Sequence, residues 1–205
     1  MLELDHVAVL GETLEAAVAH CEQALGTPMG PGGVHARFGT HNRLLGMDPG
    51  LYLEAISVDP AAPAPQEARW FGLDHFRGAP RLDKWICRVP DIEAALRALP
   101  EAGRPVEVSR GALCWTMAVP EDGRLPFDGL FPALIQWHVD VLPGQTLAGA
   151  VMDLRGLVVS HPRADALRDR LAPVLSAPLV SFESAAVPGL RAELQGPDGR
   201  ALVLT

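Results

Sequence analysis

The sequence predicts an α+β protein in which βαβββ units are repeated along one chain. Three observations support this fold class. Short runs of β-branched and other apolar residues indicate strands, and segments with apolar residues at helical spacing indicate helices. The same order of elements then recurs in the second part of the chain, which is typical of an internally repeated fold.

The first βαβββ unit is assigned to residues 1–60. Residues 4–10 form an apolar run typical of a buried strand, and residues 13–25 repeat apolar side chains at helical spacing. Gly26 and Pro28 are expected to end this helix. The unit is completed by strand-like segments at 34–38, 42–47 and 51–57.

A Pro- and Ala-rich connection, residues 61–80, leads to the second unit, residues 81–142. Its first strand is predicted at 82–89, and Asp91 is the expected N-cap of a helix that runs to Leu99. Three further strands are predicted at 106–109, 112–119 and 133–139.

Residues 143–205 are predicted to form a weaker, partial third unit that packs on the same domain. A strand at 154–159 precedes a helix at 164–175. The remaining strands are expected at 179–183, 190–194 and 201–204.

Composition and charge argue against several classes of partner. The chain of 205 residues has 17 Lys and Arg against 25 Asp and Glu, a formal net charge of −8, and its basic residues are scattered. We therefore expect neither nucleic acid nor a membrane as partner, since both favour a basic face. The start of the chain lacks a secretory signal pattern, and Cys21, Cys87 and Cys114 form no disulfide framework. A cytoplasmic location fits these features best.

Four short strings carry a resemblance to a known family. They are Leu4-Asp5-His6-Val7, Gly39-Thr40-His41-Asn42, Tyr52-Leu53-Glu54-Ala55-Ile56 and Pro132-Ala133-Leu134-Ile135-Gln136-Trp137. With these four strings in this order, the sequence resembles the glyoxalase-like branch of the vicinal oxygen chelate superfamily. That superfamily includes glyoxalases, extradiol dioxygenases and bleomycin-resistance proteins. The resemblance covers roughly residues 2–140. It implies that two modules pair into a cupped mixed sheet, with metal ligands on the first and fourth strands of each.

The resemblance singles out His6 and Glu54 as metal ligands. A carboxylate within an apolar strand is costly unless it meets a cation, water or a hydrogen-bond donor, and His with Glu is a common ligand pair for divalent metals. In the second module Lys84 corresponds to His6 and Gln136 to Glu54. The expected ligand set is therefore His6, Glu54 and Gln136.

Two interpretations of this site remain open. In the first, a divalent ion (Mn, Fe, Co, Ni or Zn) acts as a Lewis acid, with Glu54 and Lys84 as catalytic residues. In the second, no metal is bound, and the Lys84 ammonium pairs with Glu54 or binds an anionic oxygen of a ligand.

Further residues are expected to line the cup. His41 and Asn42 lie at the start of a strand beside Glu54, and His138 lies two residues beyond Gln136 on the same face. Trp85, Trp115 and Trp137 either wall an apolar pocket or pack in the core. Alternation turns Trp85 and Trp137 away from the faces of Lys84 and Gln136.

Two functions are consistent with these residues. The first is a lyase, isomerase or dioxygenase that acts on a small oxygen-bearing molecule. The alternative is a metal-free protein of the same fold that binds or sequesters a small molecule, with Lys84 in place of a metal ligand. The partner in both is a small-molecule ligand, and the repeated modules allow a homodimer.

Overall fold

The computed structural model describes residues 1–48, 50–147 and 152–205. The first eight strands form one sheet: β1 (Glu3–Leu10), β2 (Gly32–His35), β3 (Thr40–Met47), β4 (Leu51–Val58), β5 (Arg81–Arg88), β6 (Arg104–Arg110), β7 (Leu113–Val119) and β8 (Ala133–Trp137). Their order is β2-β3-β4-β1-β5-β8-β7-β6. The two edge strands, β2 and β6, approach each other, so the sheet curves into a nearly closed cup.

Each half of this sheet has the same pairing. The first strand of a half lies parallel to its fourth, β1 beside β4 and β5 beside β8, and the other pairs within a half are antiparallel. The halves meet where β1 and β5 run antiparallel. The predicted α+β fold class, with βαβββ modules in a cupped mixed sheet, is confirmed.

Two helices cover the outer face of the cup. Helix α1 (Leu14–Leu25) begins at Thr13, whose side chain accepts from the Ala16 backbone, and it ends at Gly26, whose left-handed φ of 66° favours glycine. Helix α2 (Ile92–Ala98) begins at Asp91, which caps it through the Ala94 backbone, as predicted. Both helices bury apolar side chains against the sheet.

The C-terminal part forms a second sheet. A short helix, α3 (Pro143–Thr146), precedes β9 (Asp153–His161), α4 (Ala164–Leu171), β10 (Val180–Ser184), β11 (Gly189–Gln195) and β12 (Ala201–Leu204). The βαβββ order recurs from β9 onward. The strand order, however, is β10-β9-β11-β12, so the first strand lies between the second and third and does not pair with the fourth. This unit therefore has a different topology from the two halves of the cup.

Some predicted element limits differ from the structure. The strand expected at 34–38 ends at His35, because residues 36–39 form a turn before β3. The strand expected at 133–139 ends at Trp137, and the helix expected to reach residue 175 ends at Leu171. None of the described helices is long and apolar enough to span a bilayer.

An irregularity in the β1–β5 pair positions the site. Leu4 pairs with Cys87 and His6 with Ile86, so Asp5 is an extra residue on β1. A bulge of this kind interrupts the alternation of side chains between the two faces of a strand. Asp5 and His6 are consequently both hydrogen-bonded on the concave side of the sheet.

Candidate functional site

A cavity inside the cup is lined by both halves of the sheet. Its polar lining residues are His6, His35, Asn42, Tyr52, Glu54 and Arg110. Its apolar walls include Trp70, Trp115, Ile135 and Trp137. The space that a water-sized sphere can occupy in this cavity is about 40 Å³, which is room for roughly three water molecules.

Asp5 fixes the orientation of His6. The His6 Nδ1 atom lies 2.7 Å from Asp5 Oδ1, and both side chains are buried. Because a carboxylate can only accept, the imidazole donates from Nδ1. The second Asp5 oxygen accepts from Trp137 Nε1 at 3.1 Å. These contacts turn His6 Nε2 toward Glu54.

Glu54 lies buried on the opposite side of this small space. Its Oε2 atom is 3.7 Å from His6 Nε2, and its Oε1 atom accepts from Asn42 Nδ2 at 2.6 Å. Tyr52 stacks on the His6 ring with centroids 4.2 Å apart. Burial, with a smaller effect of the Asp5 and Glu54 charges, raises the pKa of Tyr52 well above its usual value. The phenol therefore stays neutral.

A guanidinium forms another part of the lining. Arg110 Nη1 lies 3.2 Å from Asn42 Oδ1 and 3.2 Å from His35 Nε2. The other imidazole nitrogen of His35 is 3.0 Å from Thr40 Oγ1. Burial and then the Arg110 charge lower the pKa of His35 to about 3, so this imidazole is neutral at physiological pH.

The second half of the sheet contributes mostly apolar side chains to the same space. Ile86 lies directly across from His6 in the β1–β5 pair. Ile135 on β8 and Met117 and Trp115 on β7 line the cavity. The half formed by β5–β8 therefore supplies an apolar wall, together with Arg110 at the end of β6.

Three of the predicted site residues meet in this cavity, namely His6, Glu54 and Asn42. Gln136 does not join them. Its Oε1 atom accepts from the Ile92 backbone at 2.8 Å, which places the side chain at the start of α2 on the outer face of the sheet. This corrects the expectation that Gln136 faces the same space as Glu54. The physical reason is alternation, since its neighbours Ile135 and Trp137 are the ones that face the cavity.

Lys84 also lies outside the cavity lining. Its Nζ atom is buried beside Gly129 and donates to the Asp83 backbone carbonyl at 3.1 Å and to the Asp83 carboxylate. Burial lowers the pKa of Lys84 below its usual value, and Asp83 partly offsets this effect. The expected Lys84–Glu54 pair is therefore corrected to a Lys84–Asp83 pair, because a second register shift puts Asp83 next to the ammonium.

The two remaining predicted ligand-binding residues lie outside the cavity. His41 Nε2 is 2.9 Å from Ser57 Oγ, whereas its neighbour Asn42 points inward. His138 Nε2 is 2.8 Å from Thr116 Oγ1 beyond the end of β8. Among the tryptophans, Trp115 and Trp137 line the cavity. Trp85 is fully buried in the core and donates to the Leu130 carbonyl at 2.7 Å.

Four polar residues of the site were not predicted, namely Asp5, His35, Tyr52 and Arg110. Asp5 was missed because strict alternation assigns it to the face opposite His6, and the sequence contains no signal for the bulge. Tyr52 is two residues from Glu54, so alternation could have identified it as lying on the same face. Arg110 comes directly after the strand predicted at 106–109, and no local sequence pattern identifies it as a site residue.

The donor set does not fit a resident divalent metal. Two bonds of about 2.1 Å can meet across the 3.7 Å between His6 Nε2 and Glu54 Oε2. A catalytic metal site usually has three protein ligands, however. The corresponding positions of the second half are occupied by aliphatic residues and Gln136 is turned away. Within residues 1–48, 50–147 and 152–205, no group of three or more His, Cys, Asp and Glu side chains has the arrangement of a metal site.

Comparisons with solved structures find similar proteins at low sequence identity. A hypothetical protein from Staphylococcus aureus has the same fold, with a TM-score of 0.65 at 15% identity and with 92% of this chain and 88% of that chain covered. A methylmalonyl-CoA epimerase from Mycobacterium tuberculosis has a TM-score of 0.42 at 19% identity, with 65% and 85% covered. A variant of the Streptomyces coelicolor methylmalonyl-CoA epimerase, in complex with 2-nitronate-propionyl-CoA, has a TM-score of 0.45 at 15% identity, with 68% and 100% covered.

The family is established from the sequence itself. No curated protein matches this chain. The sequence model described as "Glyoxalase-like domain" matches residues 4–175, which is most of the chain and includes nearly all of the eight-stranded cup. This protein therefore belongs to the glyoxalase-like domain family.

Proposed function

We propose that the cup binds a small oxygen-bearing molecule and transfers a proton on it, as an isomerase or lyase does, without a resident metal. The observation that carries this proposal is the pair formed by His6 Nε2 and Glu54 Oε2. These atoms face each other 3.7 Å apart inside a buried cavity. A hydrogen bond fixes the orientation of each side chain: His6 donates to Asp5, and Glu54 accepts from Asn42.

This arrangement suits the removal and return of a proton. With Nδ1 donating to Asp5, a neutral His6 has its lone pair at Nε2, and ionised Glu54 also only accepts. A ligand with an acidic C–H or O–H group between them supplies the donor that both lack. Glu54 takes the C–H proton and returns it, while His6 accepts a ligand O–H at Nε2, and the adjacent Asp5 carboxylate stabilises the imidazolium that forms when His6 is protonated.

Exclusion of water supports proton chemistry at this position. His6 and Glu54 are 4% and 5% exposed, and the space between the side chains of the cavity is small, about 40 Å³. In such a space charges on the protein are weakly screened, so a base interacts strongly with a developing charge on the ligand. The reacting end of the ligand is therefore expected to contain only a few non-hydrogen atoms.

Sequestration without chemistry is the second candidate, and it is favoured by the aromatic wall of Trp115 and Trp137. The form of this alternative that relies on Lys84 has no support, because the Lys84 ammonium is paired with Asp83 outside the cavity. A binder would retain its affinity for the ligand when Glu54 is replaced by an isosteric amide. An enzyme of the proposed type would retain binding and lose turnover.

The test is deuterium incorporation from D₂O, followed by proton NMR, into small carbonyl compounds with a C–H next to the carbonyl. The probes are hydroxyacetone, dihydroxyacetone, pyruvate and 2-oxobutyrate. We expect exchange above the uncatalysed rate for at least one probe, and a loss of about 100-fold or more in Glu54→Gln. Glu107→Gln, an exposed carboxylate on β6 away from the cavity, is the matched control and should keep the full rate. Exchange that survives Glu54→Gln, or binding with no exchange at all, would contradict the proposed proton transfer.

A further inference from the structure

Arg110 reaches the cavity by crossing from one edge of the cup to the other. It lies at the end of β6, and its side chain contacts β2. Gly33 on β2 makes this possible. A Cβ atom there would lie 2.8 Å from both Cδ and Nη1 of Arg110, which is closer than real side chains approach. The absence of a side chain at Gly33 therefore leaves the space in which the guanidinium lies.

The partners of this guanidinium within the described chain are neutral. Nη1 donates to the amide oxygen of Asn42 and to the neutral imidazole of His35, each at 3.2 Å. No Asp or Glu oxygen of the described residues lies within 4.0 Å of Arg110. Arg104, on the same strand, is paired with Glu67. Because a guanidinium has five N–H donors, most of those of Arg110 remain for a ligand.

Asn42 keeps this cation apart from the Glu54 carboxylate. Its oxygen accepts from Arg110 and from the Gly33 backbone, and its nitrogen donates to Glu54 at 2.6 Å. The cavity therefore has a cationic part at Arg110 and an accepting part at Glu54 and His6. Trp70 also lines the cavity. Its Nε1 atom is a buried donor that has no hydrogen-bond partner among the described residues.

We propose that the ligand of this cavity is a small carboxylate, whose anionic group is bound by Arg110 while its reacting end lies between His6 and Glu54. The inference rests on the site of the proposed function and adds the chemical class of the ligand. A planar carboxylate matches the fork of N–H groups on a guanidinium. A phosphate dianion is disfavoured, because a single guanidinium would face two negative charges close to the Glu54 carboxylate.

The experiment compares pyruvate with pyruvamide, in which a neutral amide replaces the carboxylate. Binding is measured by titration followed by protein NMR, with inorganic phosphate as a third probe. We expect wild-type protein to bind pyruvate more tightly than either pyruvamide or phosphate. Arg110→Gln should weaken pyruvate binding about 10-fold or more and leave pyruvamide binding unchanged, since a hydrogen bond to a charged group contributes about that factor.

Two further variants separate recognition of the carboxylate from general damage. Gly33→Ala keeps the arginine but displaces it, so it should also weaken pyruvate binding while the NMR spectrum stays that of a folded protein. Arg104→Gln removes an arginine from the exposed start of the same strand and should leave binding unchanged. Equal pyruvate affinity in wild type and Arg110→Gln would overturn the proposal, as would phosphate binding at least as tight as that of pyruvate. Absence of pyruvate binding to wild type in the millimolar range would overturn it as well.

The outcome is distinguishable from that of the proposed function. Glu54→Gln should still bind pyruvate, because Arg110 is unchanged. If Arg110→Gln no longer binds pyruvate while Glu54→Gln retains proton exchange, the proposed ligand class stands. The proposed role of Glu54 in proton transfer then fails. If exchange depends on Glu54 but is fastest with neutral ketones and insensitive to Arg110, the ligand class fails and the proton transfer stands.

Discussion

The two halves of the cup have the same backbone but different chemistry. In the first half, β1 and β4 bring His6, Tyr52 and Glu54 to the cavity, and β3 adds Asn42. In the second half, the strands β7 and β8 bring Trp115, Met117, Ile135 and Trp137. Both halves nevertheless have parallel first and fourth strands and antiparallel pairs elsewhere. Backbone hydrogen bonds maintain the cup, and the inward side chains are free to differ between the halves.

This difference explains why only two residues of the expected ligand set, His6 and Glu54, lie in the cavity. The His6–Glu54 pair is complete, with Asp5 and Asn42 behind it. Opposite it, Ile86 and Ile135 offer no donor atoms, and the cation of Arg110 lies near the rim. A polar half that faces an apolar half favours an organic ligand with one polar end and one apolar side.

Restoring donor atoms to the second half should give that half the metal ligands that it lacks. Ile86→His with Ile135→Glu should create a four-ligand site, because Ile86 lies directly across from His6 and Ile135 lines the same cavity as Glu54. Directly opposed residues of antiparallel strands have Cβ atoms about 4.5–5.5 Å apart. We expect the double variant to bind about one Zn²⁺ or Ni²⁺ per chain, the stoichiometry of a single four-ligand site. Isothermal titration of chelator-treated protein measures this stoichiometry.

Adding Glu54→Gln to this double variant is the control and should weaken metal binding by removing a ligand from the first half. If the double variant gains no affinity for either ion, then Ile86 and Ile135 are not the counterparts of the first-half ligands. The structural equivalence of the two halves at the site would then be contradicted.

A smaller effect is expected at Gln136, on the outer face of the second half. Its side-chain oxygen accepts from the backbone at the start of α2, so Gln136→Ala removes a partner from a helix N-terminus. We expect a loss of about 1 kcal/mol in the free energy of unfolding, without a change in ligand binding. Urea denaturation measures the first quantity, and pyruvate titration measures the second.

Gln136→Glu provides the matched variant, since it retains an acceptor oxygen and adds a negative charge at a helix N-terminus, where such a charge is favourable. Its stability should stay close to that of wild type. A Gln136→Ala protein that is equally stable but binds ligand more weakly would return Gln136 to the functional site.

Much of the fold could be predicted because its signals are local and repeated. The apolar runs, the helical spacing in α1 and α2, and the N-cap at Asp91 all agree with the architecture. His6 and Glu54 were identified because the resemblance to the glyoxalase-like branch singles out these two positions, and because a polar group within an apolar strand is costly unless it meets a partner. Asn42 followed from its position on the strand beside Glu54.

The remaining site residues depend on features that a sequence pattern does not contain. One extra residue in β1 brings Asp5 to the side of His6, and a second shift in the same pair places Asp83 beside Lys84. Lys84 and Gln136 were aligned with His6 and Glu54 through the similarity of their sequence strings, whereas Ile86 lies directly across from His6 and Ile135 lines the cavity. Arg110 reaches the cavity only because the edges of the cup meet at Gly33, and that is a property of the tertiary structure.

We propose that the cup works with the His6–Glu54 pair of its first half and without a resident metal. The most direct test is the metal content of wild-type protein, measured by plasma mass spectrometry after purification without chelators and after reconstitution with Mn, Fe, Co, Ni and Zn. We expect far less than one ion per chain in every case, and proton exchange that is unchanged by a chelator. Near-stoichiometric metal that is lost in Glu54→Ala would contradict the claim and restore His6 and Glu54 as metal ligands.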